Sequence, residues 1–446
     1  MTQLKPYPEY KDSGAAWLGA VPAHWRLGRI AYAYSLTLGK MVNSTSGVGE
    51  PRPYLRAGNV QDYGVDLAEV KEMPVTAAEA LSLDLRAGDV VIVEGGAGFG
   101  RSDYLKEDLI EWSFQNHVIR ARALGDHRGR YLDFFIKFLR ARGHFESLGS
   151  YATIPNVSAE KLGGIELPFL PAEEQKSIAR FLDRETAEID AFVVNQEELV
   201  TLLAERREAT ISHAVTKGLD PMVRMQNSGV EWLGEVPAAW TTTRLKHVGR
   251  SLIGLTYSPN DLADADEPGS HMVLRSGNIQ HGQLQLDTDV VRVKMAIPPE
   301  LVTQPADLLV CARNGSRALV GKNAFIGEAG AGQTFGAFMS IVRSEHNQYF
   351  RWVLNSSLFA SQMGLFSTST VNQLTKGTLD NFEFPWPPAS ERAAISNHLD
   401  RATSEIDAAT ADAREAIALS KERRAALISA AVTGKIDVRG VVGGTA

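Results

Sequence analysis

At 446 residues, 44% of them hydrophobic, the chain is long enough for two to four domains with cores of their own. Its single cysteine, Cys311, excludes an intramolecular disulfide and fits a reducing cytoplasm, and no run approaches the roughly 18 consecutive apolar residues of a membrane span. A net charge of −7 argues mildly against nucleic acid as a partner, although phosphates respond to local patches rather than to the average.

Met1-Thr2-Gln3-Leu4-Lys5-Pro6 leads into no apolar signal segment, so a cytoplasmic protein without membrane contact is expected. Residues 13 to about 168 then alternate short β-like runs with turns: Tyr54-Leu55-Arg56, Gly88 to Val93, and Asn116 to Arg120. Gly95-Gly96-Ala97-Gly98 punctuates them, and Tyr131 to Arg142 reads as a helix with Leu132, Phe135, Ile136 and Leu139 on one face. At Pro171 the character changes: proline in a first helical turn, Glu173 and Glu174 where the helix dipole favours anions, then no Gly or Pro until Gly218.

The second half repeats this order. Ser13, Gly14, Trp17, Leu18, Gly19, Val21, Pro22 and Trp25 recur 215 residues later as Ser228, Gly229, Trp232, Leu233, Gly234, Val236, Pro237 and Trp240. Leu182-Asp183, Ile189-Asp190 and Glu205-Arg206-Arg207 recur at an offset of 217 as Leu399-Asp400, Ile406-Asp407 and Glu422-Arg423-Arg424. A period so far above the 20 to 50 residues of solenoid repeats makes each copy a domain-sized unit.

In the first helical segment Ile178, Leu182, Ile189, Phe192, Leu199 and Leu203 fall at four- and three-residue steps, a stripe suited to one partner helix. The second segment fills the same frame with Ile395, Leu399 and Ile406 among alanines, which complements the bulkier stripe. The expected fold is therefore α+β. Two mixed α/β globules, residues 13–168 and 228–385, are separated by two long helices, 171–217 and 388–433, pairing as an antiparallel coiled coil with approximate internal two-fold symmetry. Helices of about 45 residues span at most about 65 Å. Packing of each helix on its own globule is the alternative.

Gly95 to Ser102 spells G-x-x-x-x-G-R-S, one residue from a phosphate-binding loop, and leaves a nucleotide-dependent enzyme as a second functional reading. The lysine is missing, however, and Arg313-Asn314-Gly315-Ser316-Arg317 at the matching place repeats no such loop. Between His117 and Arg142 stand Arg120, Arg122, Arg128, Arg130, Lys137, Arg140 and Arg142 against Asp126 and Asp133, a local charge of +5. Arg313, Arg317 and Lys322 form an acid-free patch in the second half, and Arg244, Lys246 and Arg250 another.

Arginine with asparagine and glutamine matches the donor and acceptor pattern of base edges in the major groove. The candidate DNA-contacting residues are thus Arg56, Asn59, Gln61, Arg101, Gln115, Asn116 and His117 in the first half. In the second half they are Arg275, Asn278, Gln280, Arg313, Asn314, Arg317 and Lys322. Asn59 and Asn278, beside Gly58 and Gly277, read equally well as turn formers. Cys311, following Leu308-Leu309-Val310, reads as a small apolar strand residue.

Signatures of catalysis are missing: no Asn-Pro-Pro or Asp-Pro-Pro followed by an aromatic, no GxGxxG helix start, no H-E-x-x-H and no Gly-x-Ser-x-Gly. No catalytic residue and no metal ligand are expected, and the chain reads as a binder; a coiled-coil scaffold for proteins is the third reading.

From about Ser13 to Asp437 the chain resembles the specificity subunit of type I restriction-modification enzymes. The resemblance rests on Trp17 to Trp25 with Trp232 to Trp240, Arg56 to Asn59 with Arg275 to Asn278, and the Glu-Arg-Arg of each helix. It rests too on Ile165-Glu-Leu-Pro-Phe-Leu-Pro-Ala-Glu-Glu-Gln and Phe382-Glu-Phe-Pro-Trp-Pro-Pro-Ala-Ser-Glu-Arg. It implies two target-recognition domains, each reading one half of a split double-stranded DNA target, and a helix pair that acts as a ruler between them. It also implies that two copies of an adenine methyltransferase subunit and an ATP-driven restriction and translocase subunit join this non-catalytic chain. S-adenosylmethionine, ATP and magnesium would then belong to those partners, and the target adenine would be flipped into a partner's pocket.

Overall fold

The repeated opening motif is built around backbone geometry. Gly14 and Gly19 sit at φ of 79° and 73°, and Gly229 and Gly234 at 76° and 67°, a region closed to most side chains. They turn two hairpins, Tyr10–Asp12 against Ala20–Pro22 and Met225–Asn227 against Glu235–Pro237. The last motif residues, Trp25 and Trp240, are fully buried. Their indole N–H groups reach the first turn of a long helix: Trp25 donates to Glu174 Oε1 at 3.0 Å, and Trp240 donates to Glu391. Tyr7 and His24 complete the shell around Glu174, at 2.6 and 2.9 Å.

The computed structural model describes residues 5–42, 48–96, 98–148, 156–264, 267–280, 282–366 and 373–440. They form two compact units, Met1–Gln196 with Glu415–Ala446, and Glu197–Arg414. The long helices, Ala172–Lys217 and Ala389–Val432, therefore each contribute one half to each unit, a division that the linear segments of the chain do not show.

In the first unit a four-stranded antiparallel sheet runs in the order Ser102–Tyr104, Val90–Val93, Val118–Ala123, Tyr34–Leu38. The helix Gly129–Ala141 packs on it and buries Leu132, Phe135, Ile136 and Leu139 completely. Ile178, Phe181 and Leu182 from the first long helix share this core with Ile428, Ala431 and Val432 from the end of the second. Arg424 Nε donates to Asp190 Oδ1 at 2.8 Å, so the two helix halves run antiparallel. Beyond the second helix, Asp437 N–H donates to the Lys5 carbonyl at 2.8 Å and the Arg439 guanidinium lies 4.8 Å from the Tyr7 ring centre.

The second unit repeats the sheet: Asn323–Phe325, Leu308–Cys311, Met339–Arg343, Arg250–Ile253, again antiparallel. The helix Asn347–Leu354 takes the place of Gly129–Ala141. Here Ile211, Ala214 and Val215 from the end of the first long helix share a core with Ile395 and Leu399 from the start of the second. Arg207 Nε donates to Asp407 Oδ1 at 2.9 Å. Cys311 ends a strand and is fully buried, which pushes its thiol pKa up.

The expected stripe needs one correction. Ile178, Leu182, Ile189 and Leu203 are buried, as are Ile395, Leu399 and Ile406, but Phe192 and Leu199 are 44% and 40% exposed. The stripe passes instead through Leu182, Thr186, Ile189 and Val193, steps of four, three and four. Thr186 escapes an apolar count because it is polar; buried, its hydroxyl donates to the Leu182 carbonyl at 2.6 Å, and Thr403 does the same to Leu399 at 2.7 Å. A stripe that admits threonine shifts by one residue after Ile189.

Candidate nucleic-acid interface

A strand end, a turn and a close backbone crossing build the same corner in each unit. Gly254 lies so near the Gly336 carbonyl that a Cβ would meet it at 2.2 Å, and Gly39 stands in the same relation to the Gln115 carbonyl. Ala312 N–H donates to the Phe338 carbonyl at 2.9 Å, as Glu94 N–H does to His117 at 3.0 Å. Gly95 bridges Asn156 where Arg313 bridges Gln373. These bonds equate Gln115-Asn116-His117 with Gly336-Ala337-Phe338, and Gly95 with Arg313.

In the second unit this corner opens as a cleft of about 840 Å³ whose lining includes Leu255, Tyr257, Arg275, Arg313, Asn314 and Phe338. Arg313 is exposed and its guanidinium stacks 5.2 Å from the centre of the Phe338 ring, itself 60% exposed. Asn314 is fixed within the loop, accepting from Ser316 N–H at 3.0 Å and donating to Ser276 Oγ at 3.3 Å. Lys322 Nζ donates to the Ser276 carbonyl at 3.4 Å, and Arg317 and Gln280 are exposed. At the same corner of the first unit Gln115 and Asn116 are half-buried and His117 is exposed, 3.9 Å from Glu94. Burial raises the Glu94 carboxyl pKa, and His117 only partly offsets it.

Asn59 and Asn278 do not present their amides to solvent. Asn59 Oδ1 accepts from Arg56 N–H at 2.9 Å while Nδ2 donates to the Asp66 carbonyl at 2.8 Å; Asn278 repeats both bonds with Arg275 and Gln285, at 2.7 and 3.1 Å. Both side chains are buried, so of the two readings open in the sequence the structure supports the turn former. Arg56 and Arg275 extend from these turns and pair with Glu69 and Asp289, at 2.8 and 3.1 Å.

The basic stretch after His117 is not a free cationic face. Arg120 is buried against Asp84, Arg122 pairs with both Asp89 and Asp84, Arg130 and Lys137 converge on the fully buried Asp133, and Arg140 pairs with Asp62. Asp133 lies within the stretch, but Asp62, Asp84 and Asp89 come from segments distant in sequence, which a count over 26 consecutive residues does not include. Arg101 likewise turns inward, donating to Gln61 Oε1 at 3.0 Å and lying 3.4 Å from Asp62. Burial alone would raise the Asp62 pKa, but Arg140 and Arg101 outweigh it and hold the carboxyl below its ordinary value.

After Gly100 the chain enters the strand Ser102–Tyr104 rather than a helix, so the glycine-rich loop lacks the helix N-terminus that a phosphate-binding loop requires. Among the described residues no group of three or more His, Cys, Asp or Glu side chains is placed to hold a metal ion, and no helix is long and apolar enough to cross a membrane.

Phe338 is the residue that sequence reasoning passed over. Its position was visible, but an exposed phenylalanine gains meaning only once Arg313, 25 positions away, is seen to stack on it.

No protein-family model matches the chain. It is 26% identical over 208 residues to the type I restriction enzyme EcoKI specificity subunit of Escherichia coli (strain K12) and, over the same length, to the StySPI specificity subunit of Salmonella potsdam. Those matches span 46% of this chain and 44% of either relative, less than half their length. It is 21% identical over 431 residues, 94% of both chains, to the MjaVIII specificity subunit of Methanocaldococcus jannaschii. In fold it is similar to a chain solved in work on complex assembly and conformational transition of the type I R-M system, with a TM-score of 0.67 at 17% identity over 92% of this chain and 98% of that one. The HsdS subunit from Thermoanaerobacter tengcongensis follows with a TM-score of 0.53 at 16% identity, over 93% and 98%. These likenesses agree: the chain is similar in sequence to type I restriction enzyme specificity subunits, along nearly its whole length in the case of the MjaVIII subunit, and shares its fold with solved chains of such systems.

Proposed function

We propose that the chain is a non-catalytic, sequence-specific DNA-binding subunit that recognises a split target, one half-site per globule, and positions adenine methyltransferase and restriction subunits on it. The observation that carries this reading is the repeated corner: one backbone frame built twice, with polar side chains at Gln115-Asn116-His117 and Gly336-Ala337-Phe338 in their place. A shared frame with unlike linings is what reading two different short sequences requires. The relatives' names add that such chains are specificity subunits of type I restriction enzymes.

On this reading two methyltransferase copies dock on the chain, one per repeat, and the long helices set the gap between half-sites. S-adenosylmethionine, ATP and magnesium are bound by those partners and none by this chain, and the complex acts in the cytoplasm. The strand that follows Gly95 to Arg101 weighs against the nucleotide-enzyme alternative.

A genome-wide map of N6-methyladenine in cells with and without the gene tests the reading. The expected result is one split motif, two short half-sites around a fixed gap, present only with the gene. If the map is the same in both strains while the chain still binds the methyltransferase subunit, the specificity role is refuted.

A further inference from the structure

Among the candidate arginines of the two corners, Arg313 is the one that lies over an aromatic ring; Arg317 is exposed without such a contact among the described residues. Arg56, Arg101 and Arg275 are engaged by Glu69, Asp62 and Asp289. Among the described residues no acceptor engages the Arg313 guanidinium; it is held only by its stacking on Phe338 at the mouth of the cleft. A guanidinium lying over a ring face keeps its edge N–H donors available for hydrogen bonds.

Resting on the DNA-specificity reading above, we propose that the stacked Arg313–Phe338 pair is the guanine reader of the second globule. The guanidinium edge donates two hydrogen bonds to O6 and N7 of one guanine, and the Phe338 ring fixes its plane and packs on the neighbouring base. Planar bidentate donors match this base edge and no other in the major groove. The ring lowers the rotamer freedom that a free arginine would lose on binding. The first globule has Gly95 and His117 at these positions and therefore reads its half-site without an equivalent pair.

The test is selection from a pool of duplexes carrying two randomised blocks around spacers of varied length, using the full-length chain with the adenine methyltransferase subunit of the same cell. Wild type is expected to enrich a guanine at one position of one block. Arg313→Lys, which keeps the charge and loses the fork, should lower that preference about 10- to 100-fold and leave the other block unchanged, which also shows that the variant is folded. Phe338→Ala should weaken the same preference and Phe338→Tyr should keep it.

The proposal is overturned if Arg313→Lys leaves the preference intact or if the affected block contains no guanine. It is overturned too if Arg313→Ala lowers retention of all sequences alike with a salt slope smaller by about one, the mark of a phosphate contact. A wild-type pool enriched in neither block refutes the DNA-specificity reading itself, and this proposal with it.

Discussion

Arg424 donates its Nε proton to Asp190 Oδ1 at 2.8 Å, and under the 217-residue offset of the repeat the same bond recurs in the other unit as Arg207 to Asp407 at 2.9 Å. The Glu-Arg-Arg of each helix thus has a structural use in its third residue. Both carboxylates are about half exposed, so the pairs set register more than stability. Asp190→Ala and Arg424→Ala are each expected to cost under about 1 kcal/mol, with a coupling of about 0.2–1 kcal/mol in a double-mutant cycle followed by urea unfolding. A coupling of zero means that the pair does not hold the helices in register.

The phase of the helix stripe is tested by neighbours three residues apart. Ile189→Ala removes a buried side chain and is expected to cost about 2–4 kcal/mol, whereas Phe192→Ser should stay within about 0.5 kcal/mol. Denaturant midpoints of the full chain decide it; the reverse ranking would restore the stripe through Phe192 and Leu199.

Trp25→Phe keeps an aromatic ring in the core and removes one of the three donors converging on Glu174. Loss of a hydrogen bond to a buried carboxylate should destabilise by about 1.5–3 kcal/mol. Trp240→Phe should behave alike through Glu391. Thermal unfolding of both variants reads it, and two values below about 0.5 kcal/mol would leave the repeated tryptophans as apolar filler only.

Asn59→Ala leaves the Arg56 N–H and the Asp66 carbonyl without their partner, so a loss of about 1–3 kcal/mol is expected in the absence of any DNA. Asn278→Ala should match it. Variants of wild-type stability that lose one half-site would instead make these amides base readers.

The raised pKa of Glu94 gives a signed pH effect. The folded chain holds this proton more tightly than the unfolded one, so stability is lost as pH rises from the ordinary glutamate value through the raised one. Wild type should therefore lose more stability than Glu94→Gln across that window, measured by urea unfolding at a series of pH values. Parallel curves would show that burial at Glu94 has no energetic consequence.

Much of this architecture was legible because it rests on local rules that residue type alone determines. Glycines at positive φ announce the hairpins, a proline followed by two glutamates announces the long helix, and Leu132 to Leu139 recur at helical spacing on a face that the fold buries. The duplication, read from the sequence by itself, supplied two globules and two helices.

What only the tertiary structure decided is the outcome of pairings across long separations. Arg120, Arg122 and Arg140, which add to a basic patch along the chain, are paired with Asp84, Asp89 and Asp62 once the sheet and helix bring them together. Arg313 stays unpaired because no acid among the described residues reaches it. Thr186 joins the buried stripe because the helix supplies its hydroxyl with a carbonyl. Charge and burial belong to three-dimensional neighbourhoods, and a sequence window contains only the neighbours along the chain.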